Sequence, residues 1–246
     1  MYKNIESVKS FNQLLNNVIQ GNNEKLFELL PDNSIDLVVT DPPYEFKVKS
    51  AVGGGIMTQE NKKHLYKLED TFGFSFSPEN FLVSIQRVLK MFNAYIFTNK
   101  TLLTRYIKFA EDNNYNWEIL LWGKTNPLPL FKGHYMFDKE YIIFIYEKGA
   151  YFNSTLNYKN YFTIKTFPIR SGVEKFNTHP TVKPDSLLTS MIKISSKIDN
   201  IVLDPFMGSW TTAVVANSLH RKFIGVEVID EYCAIGETRL NQQSLF

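Results

Sequence analysis

Two spacings of apolar residues alternate along this chain. The runs "IDLVV" (35–39), "AYIFT" (94–98), "WEILLW" (117–122) and "YIIFIY" (141–146) are short and rich in β-branched and aromatic residues, and they read as strands. "IVL" (201–203) and "FIGVE" (223–227) read the same way. Other stretches carry apolar residues three and four apart. In "SPENFLVSIQRVLKMF", Phe81, Ile85, Val88 and Leu89 share one helical face, and Ser77 is placed to cap it. "KPDSLLTSMIKISSKI" from Lys183 and "EYCAIGETRL" from Glu231 repeat the helical spacing. Such alternation predicts an α/β fold with a largely parallel sheet. No repeat or long linker interrupts residues 1–246, which therefore read as a single domain.

Two stretches follow neither period. Residues 45–76 contain "GGG" at 53–55, whose backbone freedom suits a mobile flap. Residues 151–180 carry Lys159, Lys165, Arg170 and Lys175, interleaved with Tyr151, Phe152, Tyr158, Tyr161, Phe162, Phe167 and Phe176. Cations among rings suit a phosphate backbone and unstacked bases, although a solvated basic face over an aromatic core has the same composition. Lys47 and Lys49, in the flap, add to the same charge pattern. The net charge of +2 alone says nothing of a nucleic-acid partner.

Cysteine and histidine narrow the chemistry. Cys233 stands alone, which excludes an intrachain disulfide and a multi-cysteine metal cluster, and the four histidines show no ligand spacing. No metal is expected. The amino terminus lacks the apolar core of a signal peptide, and "YIIFIY" is too short to span a bilayer. A cytoplasmic protein with no membrane partner is the expectation.

In an open parallel sheet, ligands bind beyond the carboxyl ends of the strands, and two strands here end in unusual chemistry. After Ile201–Leu203 comes "DPFMGSWTT", a short loop with Gly208 that opens a helix near Thr211. Glu227 ends the next strand 19 residues after Gly208, the spacing at which an acid takes ribose hydroxyls. The loop is not the dinucleotide G-x-G-x-x-G pattern, so a nicotinamide cofactor is unsupported. Asp204 suits a cationic group such as an amino-acid ammonium. After the first strand comes "TDPPY" (40–44). Pro42 and Pro43 stiffen the corner, so the Pro42 carbonyl and the Asp41 carboxylate form two acceptors, the number that an exocyclic amine with two hydrogens requires. Tyr44 supplies a ring to stack on the base.

"TDPPY" resembles the catalytic motif of amino-group DNA methyltransferases, and "DPFMGS-TT" resembles their S-adenosylmethionine-binding motif. "HPTVKP" (179–184) resembles the motif before the cofactor strand in the permuted β-type subclass, and the order of the three motifs fits that subclass. The similarity extends from about Val18 to Leu240 and is least over 151–178. The resemblance implies a Rossmann-like fold with a mostly parallel seven-stranded sheet and one antiparallel strand. It also implies an S-adenosylmethionine-dependent enzyme that flips a base out of double-stranded DNA and methylates its amine.

By that resemblance, Asp41, Pro42, Pro43 and Tyr44 are catalytic. Asn22, Asp41, Thr181, Lys183, Asp204, Pro205, Phe206, Gly208, Ser209, Thr211, Thr212, Glu227 and Val228 surround the cofactor. Residues 151–178 form the target-recognition segment, with Lys47, Lys49, Lys159, Lys165, Arg170 and Lys175 on DNA. The resemblance also allows a homodimer. An Asp in first place points to adenine N6; cytosine N4 is the alternative. Two positions depart from the family. Asn22 stands where an Asp is common, and its side-chain oxygen still accepts. Trp210 stands where a small glycine is usual: its indole either fills the cofactor space, leaving a non-catalytic nucleic-acid binder, or turns away and packs on the sheet.

Overall fold

Alternation along each strand divides the apolar residues between two cores. Val38, Ala94, Ile96, Ile143, Ile145, Leu203 and Ile224 face one side of the sheet. Their neighbours Leu37, Val39, Tyr95, Phe97, Ile142, Phe144, Val202 and Phe223 face the other. A strand buried on both faces is the mark of a sheet covered by helices on both sides. The computed structural model describes residues 2–43, 76–127, 133, 135–169 and 182–243.

Within those residues the chain runs β1 (Lys3–Asn4), β2 (Ile19–Gln20), α1 (Asn23–Leu29), β3 (Leu37–Thr40), α2 (Pro78–Val88), β4 (Asn93–Thr98) and α3 (Lys100–Asp112). It continues through β5 (Asn116–Lys124), β6 (Lys139–Tyr146), β7 (Ile164–Phe167), α4 (Asp185–Ser195), β8 (Ile201–Asp204), α5 (Thr211–Ser218), β9 (Lys222–Glu227) and α6 (Asp230–Gln243). The sheet order is β1-β2-β9-β8-β3-β4-β6-β5-β7. All pairings are parallel except those of β6, which runs against both β4 and β5. The mixed, mostly parallel sheet with one antiparallel strand is the expected one. Its nine strands exceed the expected seven because β1 and β7 extend the two edges.

Alpha helices α1, α2 and α3 cover the first face, with Leu26, Phe81, Ile85, Leu102 and Tyr106 buried there. Helices α4, α5 and α6 cover the second through Leu187, Met191, Ala213, Val215 and Cys233. Ser77 caps α2 as expected, accepting from the Asn80 N–H at 3.3 Å, with Pro78 in the first turn. The helix ends at Val88, short of the quoted stretch.

Helix α3 went unpredicted, although Leu102, Tyr106 and Ala110 recur every four residues and Asn99 caps it. The 151–180 stretch is not wholly irregular: its described part holds a 3-10 turn at Tyr158–Tyr161 and the edge strand β7. Trp122 ties that strand down, its indole N–H donating to the Phe167 carbonyl at 2.9 Å. The proposed flap lies outside the described residues except for Phe76.

Candidate active site

Strands β3, β8 and β9 are parallel neighbours, so their carboxyl ends lie side by side on one edge of the sheet. Asp41 follows β3 directly, Asp204 ends β8 and Glu227 ends β9. Three acids therefore line the edge at which an open α/β sheet binds its ligand.

Asp204 is buried and tightly held. Its Oδ1 accepts from the Thr40 hydroxyl at 2.7 Å and the Phe206 N–H at 3.1 Å, while its Oδ2 accepts from the Thr212 hydroxyl at 2.7 Å. A carboxylate has about four acceptor sites, so most of its capacity organises the loop. Burial pushes its pKa up to about 6, with the neighbouring Asp41 adding to the rise against those donors. Thr40 thereby ties the DPPY corner to the glycine loop, a role with no sequence signal beyond its place in the motif.

Glu227 is also buried. Its Oε2 accepts from the Gly208 N–H at 2.8 Å and its Oε1 from the Ile229 N–H at 2.8 Å. Burial raises its pKa to about 7, and Asp204 contributes in the same direction. Val228, beside it, is half-buried. Asn22 lies close by in the fold, since Gly21 donates its N–H to the Glu227 carbonyl at 3.0 Å. The Asn22 side-chain oxygen caps α1 by accepting from the Lys25 N–H at 2.8 Å, which leaves one lone pair of that oxygen for any other donor.

The loop between β8 and α5 is fixed from below. Pro205, Ser209, Thr211 and Thr212 are buried, and the Ser209 and Thr211 hydroxyls lie 3.0 Å apart. Arg239 of α6, also buried, donates to the Ser209 carbonyl and to the Thr211 hydroxyl. Its place at the end of an ordinary-looking helix hid this role in the sequence. Phe206 packs edge-on against Phe76 and Phe81, with ring centroids 5.7 and 5.6 Å away.

Gly208 and Trp210 both have positive φ, at 50° and 62°. A left-handed Trp costs about 1–2 kcal/mol, so something must offset it. The indole is fully buried in the second core, against α6, where a Cβ on Gly236 would fall 2.3 Å from Trp210 Cγ. Of the two readings of Trp210, the one that turns inward holds. The helix leaves room for the ring by having glycine opposite it. Trp210→Gly, which restores the usual family residue, is expected to destabilise the protein by about 2–3 kcal/mol in urea denaturation. The cavity left by the ring costs more than the relieved backbone strain returns.

Lys183 lies just before α4. It sits between two carboxylates, 2.6 Å from Asp41 Oδ2 and 3.0 Å from Glu140 Oε2, and over the Phe97 ring at 4.9 Å. Lys183, expected beside the cofactor, is thus ion-paired with Asp41 at the end of β3. Lys165, expected on DNA, is buried, with its ammonium on the Asn160 carbonyl. Lys159 is exposed, near the exposed rings of Phe152, Tyr158 and Phe162. Pro42 is buried and Pro43 half-buried. Tyr44, Lys47, Lys49, Arg170, Lys175 and Thr181 lie outside the described residues.

Known proteins are similar to this chain in sequence and fold. Residues 35–238 match the model of the N6/N4 DNA methylase family. The chain is 28% identical over 258 residues to the type II methyltransferase M.HinfI of Haemophilus influenzae, covering 95% of this chain and 70% of that protein. It is also 28% identical over 249 residues to the type II methyltransferase M2.LlaDCHI of Lactococcus lactis subsp. cremoris, covering 93% and 90%. Among solved structures, the M1.HpyAVI–SAM complex superposes with a TM-score of 0.67 at 26% identity, over 91% of this chain and 98% of that one. The cytosine-N4-specific PvuII DNA methyltransferase has the same fold, with a TM-score of 0.68 at 20% identity, over 91% of this chain and 85% of that one. With a family match spanning the catalytic corner, the glycine loop and the acid that follows it, this chain belongs to the N6/N4 DNA methylase family.

Proposed function

We propose that the protein methylates the N6 amine of adenine in double-stranded DNA, using S-adenosylmethionine. The observation that carries this reading is the Thr40–Asp204 hydrogen bond of 2.7 Å, which places the DPPY corner against the glycine loop. An amine acceptor and a cofactor cradle are then adjacent parts of one site. The donor and acceptor set fits the cofactor. Glu227, raised to about 7 by burial, is poised to gain from two ribose hydroxyls, and the half-buried Val228 offers an apolar surface to adenine. When bound, the cofactor supplies an electrophilic methyl on a sulfonium.

The chain's own groups do the rest. Asp41 and the Pro42 carbonyl accept the two amine hydrogens and aim the nitrogen lone pair at the methyl, so catalysis is positioning and electrostatics. Because that amine lies inside the duplex, the nucleotide must leave the stack, and Tyr44 stacks on it. We assign target recognition to residues 151–178, where Lys159 and the exposed rings of Phe152, Tyr158 and Phe162 offer charge and stacking surface. The order of the motifs, Asp41 before Asp204, supports the permuted β-type arrangement.

Calorimetric titration with S-adenosylhomocysteine, followed by transfer of a labelled methyl to mixed-sequence duplex DNA, tests the reading. Micromolar binding and N6-methyladenine in the digest are expected. N4-methylcytosine would replace adenine by cytosine as the target, and a folded protein that binds no product analogue would overturn the enzymatic reading.

A further inference from the structure

A row of alternating charges leads from β5, next to the β7 edge of the sheet, to the DPPY corner. Lys124 of β5 lies 2.8 Å from Glu140 Oε1, Glu140 Oε2 lies 3.0 Å from Lys183, and Lys183 lies 2.6 Å from Asp41. All four side chains are at least largely buried, between 11% and 28% exposed. The pairing of antiparallel β6 with β5 builds the first link, because Trp122 stands opposite Glu140 and Gly123 opposite Lys139.

Burial opposes the two inner charges of the row, yet the pairing prevails. It pulls the Lys183 ammonium down, but the carboxylates of Asp41 and Glu140 hold its pKa above the ordinary lysine value. It pushes Glu140 up, but Lys183 and Lys124 leave that carboxyl below the usual range. Asp41 also faces Asp204, whose charge opposes its own, and Tyr106 of α3 lies within electrostatic reach. Lys183 is the cation placed between this corner and Glu140.

We propose that Lys183 and Glu140 are positioning residues that fix and tune Asp41 for the substrate amine, an inference that rests on the methyltransferase reading of the site. Lys183 holds the Asp41 carboxylate in place. Glu140 draws part of that ammonium's field onto itself, so Asp41 remains a strong acceptor instead of being neutralised by a full counter-charge. Lys124 balances Glu140 in turn, and the row sums to zero charge. Each member therefore has a partner, and removing one leaves a buried charge uncompensated.

Single-turnover methylation at saturating cofactor, with S-adenosylhomocysteine affinity measured in parallel, tests the proposal. Lys183→Met is expected to lower the methylation rate at least about tenfold and Glu140→Gln by several fold, while product-analogue affinity stays within about threefold of the wild type. Lys183→Arg, which keeps the charge, should recover part of the rate. Affinity falling in step with rate would make Lys183 a cofactor ligand and overturn the proposal, as would a full rate in Lys183→Met. Should the Met and Gln variants fail to fold, Lys183→Gln and Glu140→Ala carry the same comparison, and a wild-type rate in Lys183→Gln would overturn it. A wild type that transfers no methyl to any DNA overturns the reading of the site, and the positioning role with it. A wild type that methylates beside an undiminished Lys183→Met overturns the positioning role alone.

Discussion

Asp41→Ala is expected to lower methyl transfer by at least about a thousandfold while leaving S-adenosylhomocysteine affinity within a few fold of the wild type. Asp41 stands one residue beyond β3, at the carboxyl edge of the sheet, with Lys183 as an ionic partner. The cofactor loop is organised separately, by Thr40, Thr212 and the Phe206 N–H on Asp204 and by Arg239 on Ser209. None of those bonds uses the Asp41 side chain. On the proposed mechanism, removing that side chain takes away an acceptor for the amine as it becomes a nucleophile, which is a loss in the transition state rather than in cofactor binding. The comparison variant is Asp41→Asn, which keeps the shape and one acceptor oxygen but loses the charge, and it should fall between the two. Undiminished turnover in Asp41→Ala would remove this residue from the mechanism. A parallel loss of product-analogue affinity would show that the corner and the cradle cannot be separated.

Much of the fold was legible because strands buried on both faces leave dense apolar runs, and β3, β4, β6, β8 and β9 all do. The elements that escaped are of two kinds. Strands β1 and β2 are two residues each, β2 pairing with β9 and β1 with β2, so no local period marks them. Helix α3 had a readable period in Leu102, Tyr106 and Ala110, and its omission was avoidable. In the site, Asp41, Asp204 and Glu227 were found because each closes a strand. Glu140 and Arg239 were not, because their meaning comes from a partner far along the chain. Trp210 is the opposite case. Its sequence position pointed to a conflict that Gly236, 26 residues later, removes. A residue's departure from a pattern is decided by what faces it, and that is a property of the tertiary packing.

Cofactor affinity is expected to depend on pH through Glu227, falling about tenfold between pH 8 and pH 6. Burial raises this carboxyl to about 7 in the free protein, so most molecules carry the charge at pH 8 and few do at pH 6. Ribose hydroxyls donate to the ionised form, so binding must supply that ionisation when the pH is low. Asp204 titrates lower, at about 6, so the loss above pH 6.5 belongs to Glu227. In Glu227→Gln, affinity should be lower, by about a hundredfold at pH 8, and nearly flat from pH 8 to pH 6.5. The same shifts set the stability of the free protein. Both carboxyls have folded values above their unfolded ones near 4, so their contribution is full below pH 4 and is lost as pH rises through about 6 to 7. Glu140 acts oppositely, because its lowered value favours the fold above the ordinary carboxylate range. S-adenosylhomocysteine should therefore raise the melting temperature more at pH 8 than at pH 6, where protonated Glu227 already sits comfortably in the loop. Calorimetric titrations of wild type and Glu227→Gln at pH 6, 7 and 8, with melting curves on the same samples, measure both halves of this linkage. An affinity that does not change with pH in the wild type would mean that the ribose hydroxyls are taken by another group.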